Sequence, residues 1–65
     1  MEEITLYFTE VNNVTTKFVG SLPSNLDFLL LHIRGILKEY PEYLFCRFYY
    51  CGSYYQVNNK KYVQL

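Results

Sequence analysis

Two prolines bracket the one stretch of this 65-residue sequence whose apolar residues recur at helical spacing. In "SNLDFLLLHIRGILKEY", residues Leu26, Leu29, Leu30, Ile33, Ile36, Leu37 and Tyr40 fall on one broad stripe. Pro41 disfavours helical backbone at the residue before it, so the helix is expected to stop near Tyr40. At the other end, Ser24 followed three residues later by Asp27 reads as a capping-box variant. Ser21, with Pro23 in the first turn, is the alternative start. A single helix of this kind must lay its stripe on something, and the rest of the chain supplies strands.

The segment 2–11, "EEITLYFTEV", alternates with Ile4, Leu6 and Phe8 on one face and Thr5, Tyr7 and Thr9 on the other. Its β-branched and aromatic residues suit a half-buried strand. Asn12-Asn13 tolerates positive φ and predicts a two-residue hairpin turn. Residues 14–20, "VTTKFVG", return as a second strand with Val14, Thr16 and Phe18 on one side, ending at Gly20. After the helix, residues 41–51 form a third strand. Leu44, Cys46, Phe48 and Tyr50 make its core face, and Tyr43, Phe45, Arg47 and Tyr49 its outer face. Gly52-Ser53 predicts a turn, "YYQV" a short fourth strand, Asn58-Asn59 another turn, and "KKYVQL" a lysine-edged last strand. The expected fold is α+β, a β-β-α-β-β-β chain. One helix crosses an antiparallel sheet of four to five strands, in a single domain.

So short a chain buries only about 60 % of its unfolded surface, and such folds often lean on disulfides, metal or a second copy. With 51 % apolar residues, eight Tyr and five Phe, this one has more apolar material than one small core uses. A homodimer or another protein partner is therefore expected. Six acids balance six bases, which argues against a strongly basic nucleic-acid binder. The distribution is uneven: Glu2, Glu3, Glu10 and Asp27 face only Lys17 in residues 1–33. In residues 34–65, five cations face Glu39 and Glu42. "MEEITLYF" leads with acids where a secretory segment leads with positive charge, and the apolar run is too short to span a bilayer. Cys46 and Cys51 lie an odd number apart, so in one strand they point to opposite faces. Reduced cytosolic thiols, no membrane and no cofactor are the reading.

Catalytic chemistry finds little support. His32 is the only histidine and reads as a partly exposed helix residue, with no Ser or Cys spaced to serve as its nucleophile. Two Cys and one His do not make a metal site. The three glycines stand isolated at 20, 35 and 52, so there is no phosphate loop. An enzyme is not expected.

Two surfaces remain. On the far side of the helix stand Phe28, Leu31 and Gly35, flanked by Asp27, Lys38 and Glu39. An outward Phe28 forfeits about 2 kcal/mol that burial would return. Phe28 and Leu31 are i,i+3 neighbours, and Gly35 leaves room for another backbone one turn later. Such a patch reads as a protein interface. The second surface is the outer sheet face, where Tyr43, Phe45, Arg47 and Tyr49 offer stacking platforms for single-stranded nucleic acid. Cross-strand aromatic packing, which stabilises a sheet for its own sake, is the favoured reading of that face.

The order of elements, carried by "EITLYF" (3–8), "GSL" (20–22), "DFLLLH" (27–32) and "EYLFCRF" (42–48), resembles a known family. It is that of the small dimeric uracil-DNA glycosylase inhibitors of short-tailed Bacillus phages, and the likeness spans roughly residues 3–50. It implies a homodimer whose helices frame an apolar pocket for the side chain that the glycosylase wedges into DNA. Acidic and hydroxyl groups on the rim would stand in for phosphates. On that likeness Asp27 and Phe28 match the helix start, Leu31 the pocket wall, His32 a rim aromatic, and Glu3 the acid before the first strand. The sequence departs from the pattern in its zero net charge and in Leu29, where a glutamate is expected. The implied function is inhibition of a host DNA-processing enzyme, uracil-DNA glycosylase first, in the host cytoplasm. An inhibitor of another host enzyme such as a CRISPR nuclease shares the same physics.

Overall fold

A computed structural model describes residues 1–65. The elements are β1 (Glu2–Glu10), β2 (Thr15–Leu22), α1 (Leu26–Glu39), β3 (Tyr43–Tyr50), β4 (Ser53–Val57) and β5 (Tyr62–Gln64). All five strands join one antiparallel sheet in the order β2-β1-β3-β4-β5, with α1 on one face. The fold is α+β, and the first strand lies inside the sheet.

The period-two pattern places the core where alternation predicts. Ile4, Leu6 and Phe8 of β1, Cys46 and Phe48 of β3, and Val57 of β4 are buried beneath Leu29, Leu30, Ile33 and Leu37 of the helix. Every buried residue is apolar, so the core needs no internal polar network. Leu26 and Ile36 pack at its margin, whereas Tyr40, expected on the stripe, ends the helix 50 % exposed. Tyr40 is the C-cap, one residue beyond α1, whereas Leu37 in the last turn is still buried.

Local chemistry corrects several expected boundaries. The helix cap is Asn25, whose side chain accepts from Phe28 N at 3.1 Å, and neither Ser24 nor Ser21 takes that role. The first hairpin has a longer loop than two residues. Asn13 N donates to Glu10 O and Glu10 N to Val14 O, with Asn13 at φ 67. This is a turn closed by a left-handed residue, so Val14 sits in the loop, outside the strand. β2 then runs past Gly20 to Leu22. The second hairpin turns at Cys51 and Gly52, both at positive φ, one residue earlier than expected. Asn58 organises the last turn, its side chain accepting from the backbone N–H of Lys60 and Lys61.

A register shift between Thr9 and Glu10 matters more. Phe45 pairs with Thr9 but Tyr43 pairs with Glu10, leaving Leu44 as the extra residue of a bulge. Leu44, expected in the core, is therefore exposed. Tyr43, expected on the outer face, packs on the helix side against Phe8 at 5.0 Å between ring centroids.

Candidate functional site

One α-helix about 10 Å across cannot cover five strands spaced about 4.8 Å apart. Here α1 packs most closely on β3 and β4, which leaves the helix side of β2 open. The result is a groove of about 570 Å³ between β2 and the helix. Leu6 and Phe8 contribute from β1, Phe18, Gly20 and Leu22 from β2, His32, Ile36 and Tyr40 from the helix and its end, and Tyr43 from β3. Phe18 meets Phe8 edge-on, 5.6 Å between centroids and 87° between planes. Tyr40 and Tyr43 close one end at 6.0 Å. No acidic or basic side chain lines the groove apart from the imidazole of His32.

The sequence-selected helix residues stand beside this groove. Phe28 is 41 % exposed and its ring stacks on His32, 5.8 Å between centroids and 9° from parallel. His32 thus belongs to both the groove wall and the outer helix face. Leu31 is 73 % exposed, and Gly35 is open, with space for a Cβ above it. Asp27 is exposed in the first helical turn. Glu3 lies elsewhere. Its place between Glu2 and Ile4 puts it on the outer sheet face, opposite Ser21 and away from the helix. The structure therefore brings together Phe28, His32 and the groove, with Leu31 and Gly35 farther round the helix, and leaves Glu3 apart.

On the outer sheet face, Phe45, Arg47 and Tyr49 do share a side, joined by Tyr7, Tyr54 and Gln56 through the register. Tyr43 does not belong to it. The Arg47 guanidinium sits 5.3 Å from the Phe45 ring centroid, and its Nε donates to Gln56 Oε1 at 2.8 Å. Tyr49 and Tyr54 meet edge-on at 5.0 Å. Beyond them, Glu2, Glu3, Thr5, Tyr7, Ser24 and Tyr50 help line a second, more polar hollow of about 550 Å³. Tyr50 Oη donates to Ser24 O, and hydrogen bonding to the Cys51 thiol raises its pKa.

Sequence reasoning passed over Phe18, Leu22 and Tyr40 as parts of a binding groove. A usable signal was present, since one helix stripe cannot serve every inward residue of five strands. No group of three or more metal-ligating side chains is assembled. No helix is long and apolar enough to cross a membrane. No family model, characterised protein or solved structure matches the chain.

Proposed function

We propose that this chain is a non-enzymatic inhibitor that acts as a homodimer and blocks a host DNA-processing enzyme. The groove between β2 and α1 receives an apolar side chain of the target, and uracil-DNA glycosylase is the leading target. The observation that carries the reading is the groove itself, mostly apolar, with the His32 imidazole in its wall and the Phe28–His32 stack beside it. Its volume falls in the range of ligand-binding clefts and leaves room for an apolar side chain. Enzymes that flip bases expose an apolar wedge while they search DNA, and a greasy groove captures such a wedge without reading sequence. The choice of glycosylase comes from the family likeness of the element order. The groove supplies the apolar part of that mechanism, and Glu3 supplies no part of its rim. Adding the folded chain to a glycosylase assay on uracil-containing DNA tests the target: cleavage stops if the reading holds. Undiminished cleavage at excess chain removes that target and directs the search to other host enzymes, CRISPR nucleases among them.

A second reading has its own observation. Arg47, braced by Gln56 over Phe45, stands among Tyr7, Tyr49 and Tyr54 on an open sheet face. Such a face stacks the bases of single-stranded nucleic acid. Fluorescence anisotropy with a labelled oligonucleotide measures it. Binding that weakens on Tyr49→Ala supports the reading, and no binding at low salt removes it.

A further inference from the structure

The two edges of the sheet are built differently. β5 has three residues and follows Lys60 and Lys61, a combination that discourages stray pairing. β2 has eight residues, no proline, an unbroken register with β1 and a single charge, Lys17. The closing bond from Glu10 N to Val14 O fixes which backbone groups β2 spends on β1. By antiparallel alternation, Thr16, Phe18, Gly20 and Leu22 turn theirs inward. The N–H and C=O groups of Thr15, Lys17, Val19 and Ser21 therefore point off the sheet. Nothing in the chain shields this edge.

We propose that β2 pairs with the β2 of a second copy, antiparallel about a two-fold axis through Val19. The pairing makes one continuous ten-stranded sheet and joins the two grooves. In that register Phe18 of each copy lies opposite Gly20 of the other, on the helix side. Phe18 is 48 % exposed, and above Gly20 a Cβ would meet nothing within 4 Å. The ring fills the space the glycine leaves, at a non-hydrogen-bonded position where strands approach most closely. On the outer face Lys17 lies opposite the partner's Ser21, and Ser21 in turn is paired with Glu3 within its own chain. Lys17 and the partner's Glu3 are thus two strand spacings apart, about 10 Å between backbones, with only a serine between them. Extended lysine and glutamate side chains meet across that span, twice per dimer. A register shifted by one pair, centred on Phe18, would bring the two lysines diagonally together instead. Charge therefore selects both the occupant and the alignment, and gives Glu3 a use that the helix side does not.

The partner strand also completes the groove. The groove of one copy opens at its β2 edge, and pairing sets the partner's Phe18 and Leu22 along that opening. The target-binding role of the joined trough rests on the function proposed above, whereas the strand pairing does not.

Sedimentation equilibrium of the whole chain at micromolar concentration tests the pairing and is expected to return twice the chain mass. Val19→Pro removes only an outward N–H, which an edge strand tolerates. It is expected to give a folded monomer by far-UV circular dichroism. Lys17→Glu and Glu3→Lys each weaken dimerisation on the order of tenfold, as two exposed ion pairs would. The double reversal restores it. Amide exchange at Lys17 and Val19 slows on dimerisation. A wild-type chain that stays monomeric, or a Val19→Pro chain that stays dimeric, overturns the proposal. Glycosylase inhibition is read separately: a dimer that fails to inhibit removes the target and keeps the pairing. Inhibition by a wild-type chain that stays monomeric does the reverse.

Discussion

Phe28 and His32, one helical turn apart, lie ring over ring at 5.8 Å and 9° on the exposed side of α1. The stack fixes an aromatic ridge at the mouth of the apolar groove, because His32 also lines its wall. Phe28 contributes little to the core from there. Phe28→Ala is expected to change unfolding free energy by less than about 1 kcal/mol. Under the inhibitor reading it nevertheless abolishes glycosylase inhibition. Urea denaturation alongside the inhibition assay separates the two effects.

Phe8 behaves in the opposite way. It is fully buried and touches Phe18 and Tyr43, from the edge strand to the bulge. Phe8→Ala leaves a cavity worth about 3–5 kcal/mol, a large share of the stability of so small a domain. Loss of the cooperative melting transition is the expected result.

The helix cap offers a finer test. Asn25→Ala removes the acceptor for Phe28 N and is expected to cost about 1 kcal/mol. Ser24→Ala changes a side chain without that role, since only the Ser24 carbonyl is engaged, by Tyr50. A near-zero change for Ser24→Ala beside a clear loss for Asn25→Ala confirms the cap. Equal losses refute it.

The two thiols should part company. Cys46 is buried and Cys51 exposed, so a thiol reagent modifies one site in the folded protein and both in denaturant. Burial pushes the Cys46 thiol up from 9.0 to about 12. Between those values the folded chain holds a proton that the unfolded chain has released. The unfolding free energy therefore falls as pH rises through that window, and this contribution is complete below about pH 9. Hydrogen bonding to Cys51 also raises Tyr50, in the same destabilising direction at high pH. Urea midpoints across alkaline pH, compared with Cys46→Ala, isolate the buried thiol: the variant should lose part of the slope.

Much of the architecture is legible in residue spacing. Ile4, Leu6 and Phe8 alternate cleanly, and Leu29, Leu30, Ile33 and Leu37 repeat at helical intervals, so the two faces of the core follow from period alone. Where a long-range pairing decided the outcome, spacing failed. Leu44 and Tyr43 exchange sides because β3 meets β1 through a bulge, and nothing within "EYLFC" encodes that encounter. The turn expected at Gly52-Ser53 lies one residue earlier, at Cys51-Gly52, because a cysteine at positive φ carries no ordinary turn signature. The groove was half legible. Phe28 and His32 were visible on the helix, but their meeting with Phe18 and Leu22 depends on which strands α1 leaves bare.

The interior position of β1 bears on how the chain acquires its shape. Its hairpin with β2 can close early, from neighbouring residues, but its other flank is met only by β3, after the entire helix has been made. Until residues near 48 leave the ribosome, Leu6 and Phe8 lack half their neighbours, and that nascent hairpin exposes its greasy face to chaperones and to other nascent copies.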